Sequence, residues 1–461
     1  MEKTTQRKMV TLAMLVSILL VALDTTIITT AMPHIVNQLS GLNLLSWVFA
    51  IYLLTSSVTT PIYGKLADLF GRKPVFIFGV ALFVIGSMVS GMAQTMHQLI
   101  IFRGFQGLGA GAVLPLTFTI IADLYPGEER ARMQGVFSSV WGVAGLLGPL
   151  VGGLFVDHIS WRWIFYINVP VGIIAIFLVF SFLHETALEK TKKSIDYLGT
   201  ALFTISMGSL LFALISGGQF YAWSSVEIIS LFIVASVFLL AFLIVETKAK
   251  EPMLPLSLFK IPVIAVSNAV GFVASGVLIG VNVYLPVWIQ SLLGHSATSS
   301  GLTLMPMSFA WPLASTLAGR FMYRIGSKTT AVFGAVMIMA GSAWLLLINP
   351  GSPYWYLVGI MVVIGFGMGC SFTPLTVLVQ SAVGWNLRGA ATASNTFSRS
   401  LGQTVGIAAL GTVFNNTLNQ RGMAQGLHTV FILVFATSVI TLLISALLPS
   451  HRRIMANQKA D

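Results

Sequence analysis

The sequence predicts an all-α integral membrane protein with fourteen transmembrane helices. Of its 461 residues, 56% are hydrophobic and only 8% are charged, whereas soluble globular chains carry about a quarter charged residues. The apolar residues come in runs of about twenty, the length of a helix that crosses a bilayer. These runs lack the apolar–polar alternation of barrel strands, so helices are the expected spanning form.

Fourteen apolar runs are long enough to be spans. In chain order they occupy residues 9–31, 44–64, 74–94, 98–122, 133–156, 163–183, 197–217, 226–246, 261–289, 300–322, 329–349, 355–382, 388–414 and 428–448. The first run is too long and too continuous for a cleaved signal peptide, so we expect it to remain as the first span.

The positive charges predict the orientation of these spans. With the N-terminus in the cytoplasm, 21 of the 25 Lys and Arg residues fall in cytoplasmic segments, as the positive-inside rule requires. An even number of spans returns the C-terminus to the cytoplasm. The net charge of +11 is therefore interpreted as an orientation marker, and nucleic acid is not an expected partner.

An internal repeat predicts the domain organisation. Residues 64–73, GKLADLFGRK, are similar to residues 319–328, GRFMYRIGSK, and each segment follows an even-numbered span. Repeats at matching places in two halves are typical of transporters. The pairing of span two with span ten predicts a six-helix bundle over 1–183, two additional helices over 184–260 and a second six-helix bundle over 261–461.

Several other function classes are disfavoured. The chain has no phosphate-binding loop of the Gly-x-x-x-x-Gly-Lys-Ser/Thr type, and its glycine clusters at 107–111 and 365–369 lie inside apolar spans, where close helix packing explains them. There is one cysteine, Cys370, and no nucleophile–base pair or cluster of metal ligands. We expect neither an enzyme, nor a metal site, nor a cofactor.

Several motifs resemble those of the major facilitator superfamily. Residues 64–73 resemble its loop motif, residues 103–107 (RGFQG) its span-four motif, and residues 145–153 (GLLGPLVGG) the span-five motif associated with antiporters. Residues 23–28 (LDTTII), 161–170 (WRWIFYINVP) and 196–199 (DYLG) resemble the fourteen-span drug/proton antiporter branch of EmrB/QacA type. The resemblance covers essentially the whole chain and implies the major facilitator fold.

Asp24 is the one acidic residue that the predicted topology places deep within a span. An ionisable residue in hydrocarbon costs about 2.5–3.5 kcal/mol or more and usually marks a transport pathway. We therefore predict that Asp24 carries protons. Arg103 lies at a similar predicted depth in span four, and Gln106 shares its helix face. The alternatives are an acid locked to a structural partner and an arginine that only packs helices through their carbonyl groups.

The resemblance also implies a gate and a seal. Asp68 would face a helix N-terminus of the other half and Arg72 would bridge to Asp123, with Gly64 and Gly71 shaping the loop; the alternative is that these charges only mark topology. The span-five residues Gly145, Gly148, Pro149, Gly152 and Gly153 would form a kinked, tightly packed helix that prevents leak.

Polar, aromatic and methionine side chains within the spans are the predicted substrate cavity. Such surfaces suit hydrophobic ligands of variable shape, although each residue could equally belong to the core or face lipid. Besides Asp24 and Gln106, the predicted cavity residues are Tyr52, Trp141, Asn282, Tyr284, Gln290, Met305, Met307, Trp311, Phe372, Asn395, Phe397 and Arg399. Arg399 is equally compatible with a structural role, because its half of the chain has no buried acid.

The preferred hypothesis is a multidrug exporter driven by a proton gradient. It would exchange protons for hydrophobic or cationic compounds across a bacterial cytoplasmic membrane, acting as a monomer by rocking its two bundles around one midplane cavity. The alternatives are a dedicated exporter of one native metabolite, such as a lipid, an antibiotic or a siderophore, and a membrane sensor that does not transport.

Overall fold

The described part of the chain is helical. The computed structural model describes residues 5–39, 44–185, 196–218, 220–249, 252, 254–294, 297–349 and 351–449. The α-helices in these ranges are α1 (Arg7–Leu39), α2 (Leu45–Phe70), α3 (Arg72–Gly91), α4 (Met96–Leu124), α5 (Gly127–His158), α6 (Trp163–Tyr166), α7 (Asn168–Phe182), α8 (Tyr197–Ser216), α9 (Val226–Lys248), α10 (Pro262–Ser291), α11 (Ala297–Arg324), α12 (Ser327–Leu345), α13 (Tyr354–Ser381), α14 (Trp385–Arg421) and α15 (Met423–Ala446). A short 3₁₀ helix covers Leu256–Lys260.

Local sequence sets several of the helix ends. Thr95, Asp196 and Ser225 each accept a hydrogen bond from a backbone N–H at the start of α4, α8 and α9, which satisfies donors that the first turn leaves free. Gly71 and Gly326 separate α2 from α3 and α11 from α12 with φ angles of 97° and 96°. Side chains disfavour this conformation, and the two copies of the repeat therefore share the same glycine turn.

Two hydrophobic cores organise the helices. One core joins residues of α1 to α5 with α7, and the other joins residues of α10, α12, α13, α14 and α15, with α11 packed against it. Helices α8 and α9 pack on each other, and α8 also packs against α2 and α14. The two cores meet where α2 packs against α14 and where α5 packs against α11.

The predicted count of fourteen spans is wrong. Within the described residues, ten segments are long and apolar enough to cross a membrane, and they lie in α1, α3, α4, α6–α7, α8, α9, α10, α12, α13 and α15. The runs at 44–64, 133–156, 300–322 and 388–414 belong to α2, α5, α11 and α14, which are not among these ten segments of the described chain. These four helices are the ones that join the two cores, and helix pairs in close contact use small and polar residues.

Candidate functional site

A closed network of charged and amide side chains surrounds Asp24. Arg103 Nη1 on α4 donates to Asp24 Oδ2 at 2.6 Å and to Gln106 Oε1 at 2.8 Å. Gln106 Nε2 donates to Asp24 Oδ1 at 2.7 Å. Asp24 and Arg103 are 2% and 1% exposed. The structure thus brings together the three residues that the sequence analysis placed at one depth.

The network extends to residues that the sequence analysis did not select. Asn168, at the start of α7, donates from Nδ2 to Asp24 Oδ1 and to Ser87 Oγ, both at 3.0 Å. The Arg103 guanidinium lies over the Tyr52 ring, 4.2 Å from its centroid. Asn168 belongs to the segment 161–170, which entered the sequence analysis only as a family resemblance. A polar residue at the start of an apolar helix was the available signal.

The hydrogen bonds around Asp24 fix the orientation of its neighbours. Because Gln106 Oε1 accepts from Arg103, its Nε2 must face Asp24. The donors to Asp24 in the described structure are then N–H groups, and both carboxyl oxygens act as acceptors. A proton on this carboxyl would remove the charge opposite Arg103 and displace at least one donor. Such an arrangement can link proton binding to movement of α1, α4 and α7.

A second charged cluster lies where α2 meets α14. Asp68 accepts hydrogen bonds from the backbone N–H groups of Gly389 at 3.0 Å and Ala390 at 2.7 Å. Arg72 Nη2 contacts Asp68 Oδ1 at 2.8 Å, and its Nε donates to Asp123 Oδ2 at 3.2 Å. The predicted gate residues therefore lie together, and they bind the end of α14 in the other half.

The gate cluster includes two residues that sequence reasoning assigned no such role. Arg388 Nη1 donates to Asp123 Oδ1 at 2.5 Å. The Arg72 guanidinium lies 3.8 Å from the Trp385 ring centroid and donates to the Trp385 carbonyl oxygen at 2.8 Å. Arg388 was interpreted only as one of the cytoplasmic charges that mark orientation. Its position one turn after Trp385 was the available signal that the two residues share a face of α14. Burial raises the pKa of the Asp68 carboxyl to about 6, against the opposing effect of Arg72.

The glycine motif of α5 packs against both neighbouring helices. A side chain at Gly148 would overlap Thr26 of α1, whose hydroxyl donates to the Ala144 carbonyl oxygen at 3.2 Å. Gly145 faces Ser308 of α11, and Gly152 is buried. The close approach holds α5 beside α1 two residues from Asp24. The side-chain surroundings of Pro149 and Gly153 lie outside the described residues.

Arg399 has no carboxylate partner in the described part of the chain. Its Nη2 donates to Thr376 Oγ1 at 2.7 Å and to the Phe372 carbonyl oxygen at 3.3 Å. Its guanidinium lies 4.3 Å from the Phe372 ring centroid, and its buried Nε has no hydrogen-bond partner among the described residues. Its surroundings are therefore neutral hydrogen-bond acceptors and an aromatic face.

The other predicted cavity residues make contacts in several places. The rings of Trp311 and Phe372, of Tyr284 and Phe414, and of Phe397 and Phe203 of α8 pack at tilted angles, 5.4–5.5 Å between centroids. Asn395 Nδ2 donates to Asn268 Oδ1 at 3.0 Å. Met305 and Asn282 are half-buried, Met307 packs on the second core, and Trp141 is exposed. Gln290 lies outside the described side chains. A cavity of about 230 Å³ lies instead between α2, α8, α10 and α14, and none of the predicted cavity residues lines it.

The described residues contain no group of three or more His, Cys, Asp or Glu side chains that could hold a metal ion. The candidate site is thus built from one acid, one arginine and amides, with a separate ionic gate. The carboxyl group of the first cluster is chemically able to bind a proton. The ion pairs of the gate can hold helices of the two halves together.

Sequence comparisons identify the family and several relatives with named functions. The model of the Major Facilitator Superfamily matches residues 14–407. "Multidrug resistance protein 3" of Bacillus subtilis (strain 168) is 41% identical over 421 residues, which cover 90% of this chain and 82% of the relative. "Multidrug transporter protein MdtP" of the same organism is 38% identical over 413 residues, which cover 90% of this chain and 76% of the relative.

Solved structures give the fold. The human organic anion transporter MFSD10 superposes with a TM-score of 0.72 at 14% identity, covering 95% of this chain and 99% of the other. The proton:xylose symporter XylE superposes with a TM-score of 0.71 at 16% identity, covering 96% of each chain. The fold is thus close to that of twelve-span structures, which also corrects the predicted fourteen. With this fold and the family match over most of its length, the chain belongs to the major facilitator superfamily of multi-pass membrane transporters.

Proposed function

We propose that this protein is a drug/proton antiporter of the bacterial cytoplasmic membrane that exports hydrophobic or cationic compounds. The proposal extends to this chain what the names of its bacterial relatives state, multidrug resistance and multidrug transport. The observation that carries it is the buried Asp24–Arg103 pair, because an acid in a membrane protein interior rarely persists without a function.

The mechanism follows from the hydrogen bonds of Asp24. A proton that reaches the carboxyl forms an O–H bond there and cancels the charge opposite Arg103. Gln106 and Asn168, which donate to the other oxygen, must then rearrange because a carboxylic acid accepts fewer hydrogen bonds. Loss of the proton restores the closed network. Binding and loss of the proton would thus switch this network between two arrangements, which exchange of protons for cargo requires.

The gate cluster would alternate access to this site. Asp68, Arg72, Asp123 and Arg388 join the two halves at the end predicted to face the cytoplasm. This arrangement supports a conformation closed on that side and accessible from the other. Release of these contacts would let α2 and α14 separate, so that cargo enters from the cytoplasm.

The test is exchange in proteoliposomes with an imposed pH gradient and a panel of chemically diverse drugs. The intact protein should transport several compounds only when the gradient is present. Asp24→Asn preserves size and most hydrogen bonds but cannot bind and release a proton, and it should abolish gradient-driven transport while inserting normally. Full gradient-driven transport by Asp24→Asn would overturn the proposal. Transport of a single compound would favour a dedicated exporter.

A further inference from the structure

Helices α2 and α14 touch at one end and part toward the other. At Gly64 a side chain would overlap Ala393 and Gly389, so these helices are in backbone contact beside the gate cluster. Further along, the cavity of about 230 Å³ separates Leu53 and Ser57 of α2 from Gln403 and Ala408 of α14. The cavity therefore lies on the seam between the two halves, away from the gate.

Helix α8 covers this seam. Its end contributes Leu214 and Ile215 to the cavity wall. Trp47 of α2 lies 5.0 Å from Phe212 of α8, and Phe203 of α8 lies 5.5 Å from Phe397 of α14, both between ring centroids. An aromatic contact thus joins α8 to each half of the protein, and α8 lies between the seam and α9.

The chemistry of the cavity wall limits what it can bind. No Asp, Glu, Lys or Arg is among the lining residues of the described chain, so an ion would enter without a counter-charge, at a high desolvation cost. Most of the wall is apolar. Its polar groups include Ser57, which is 3% exposed, and Gln403, and neither side chain makes a hydrogen bond within the described residues. Each is available to a ligand.

We propose that this cavity binds neutral amphiphiles, that is, small apolar molecules with one hydrogen-bonding group. The apolar body would lie between Leu53 and Ala408, and the polar group would bond to the Gln403 amide. The volume is below the range of about 300–1,000 Å³ usual for drug-sized ligands, which favours molecules of up to about three rings. Such molecules concentrate in the hydrocarbon.

This site is separate from the Asp24 network, which lies between α1, α4 and α7. The inference rests on the proposed function, because a site for membrane-dissolved cargo has a purpose in an exporter of such cargo. It adds that neutral compounds bind at the α2–α14 seam beneath α8, whereas protons bind at Asp24. The two sites can therefore be disabled one at a time.

Binding is tested with N-phenyl-1-naphthylamine, a neutral fluorescent amphiphile, and the intact protein in lipid nanodiscs, with empty nanodiscs as background. We expect saturable binding that excess unlabelled compound displaces. Ala408→Phe fills the cavity and should weaken binding by at least about tenfold. The matched control is Ala409→Phe, which adds the same ring at the neighbouring exposed position and should leave the affinity within about twofold.

Two further variants keep the test decisive. Gln403→Leu preserves the volume of the wall and should weaken binding of the amine several-fold, but not of 1-phenylnaphthalene, which lacks the N–H group. Asp24→Asn should bind both probes normally, so loss of transport with retained binding would separate the two proposals. Unchanged binding in Ala408→Phe, equal loss in Ala409→Phe, or an equal effect of Gln403→Leu on both probes would overturn the inference.

Discussion

The two halves of the molecule surround a buried arginine with different hydrogen-bond partners. Arg103 in the first half donates to the carboxylate of Asp24, whereas Arg399 in the second half has a hydroxyl, a carbonyl oxygen and an aromatic ring around it. A proton can neutralise the partner of Arg103, but the described surroundings of Arg399 hold no group that a proton would neutralise. The proposed proton coupling therefore rests on the first half.

The repeated loop shows the same asymmetry. Asp68 and Arg72 of the first copy correspond to Tyr323 and Ser327 of the second. The charged side chains of the first copy form hydrogen bonds with the backbone of α14. The second copy shares the glycine turn but not these two charged residues. The fold therefore repeats its backbone, while the acid and the arginine that contact α14 occur in the first copy.

The largest expected effect is a difference in the free energy of unfolding between variants of the two arginines. Arg103→Gln leaves the Asp24 carboxylate buried without a cation, and breaking a buried pair in this way costs about 3–5 kcal/mol. Arg399→Gln affects only two neutral acceptors, and the Gln amide can still donate to one of them, so the loss is about 1–3 kcal/mol for the other. Unfolding of both variants in detergent should show a much larger loss for Arg103→Gln. Equal losses would mean that the carboxylate does not depend on Arg103.

A double variant sharpens this comparison. Replacing Asp24 by Asn in the Arg103→Gln background removes the orphaned charge and should recover up to about 3 kcal/mol of the lost stability. Gradient-driven transport should remain absent, because the proton-binding group is gone. The same Asp24→Asn change combined with Arg399→Gln should show additive losses, since the two sites share no contact in the described structure. Recovery in that second combination would contradict the assignment.

One asparagine in each half allows a matched comparison, with a smaller expected effect on transport. Asn168 donates to the Asp24 carboxylate, whereas Asn268 exchanges hydrogen bonds with Ser394 and Asn395. Hydrogen bonds to charged groups contribute about 1.5–3 kcal/mol and neutral ones about 0.5–1.5 kcal/mol. Asn168→Ala should reduce gradient-driven transport by about tenfold, and Asn268→Ala should not change its dependence on the gradient. The transport rate is measured at several gradient strengths, and a changed gradient dependence in Asn268→Ala would refute the distinction.

Much of the site could be predicted from the sequence because charges are rare in this chain. Asp24, Arg103 and Gln106 were identified from depth along two helices, and the gate residues from the loop motif. Asn168 was missed because it follows a Trp-rich turn, and only tertiary packing carries it beneath Asp24. The substrate cavity could not be predicted, because residue type does not reveal which face of α10 or α13 meets another helix. The span count was wrong because it included the mostly apolar runs of α2, α5, α11 and α14, which are not among the ten apolar segments of the described chain.

The smallest expected effect concerns the pH dependence of the gate. Burial in the closed gate raises the pKa of Asp68 from its ordinary value of 3.8 to about 6. A group whose pKa rises on closing takes up a proton on closing, so the closed gate gains stability as the pH falls through about 6. Spin labels can be attached at two exposed positions beside the gate, Phe70→Cys and Asn386→Cys. The fraction of label pairs at the short distance of the closed gate should be larger at pH 5 than at pH 8. Asp68→Asn should remove this dependence, whereas Tyr323→Phe in the second copy should leave it intact. An unchanged pH response in Asp68→Asn would assign it to another group.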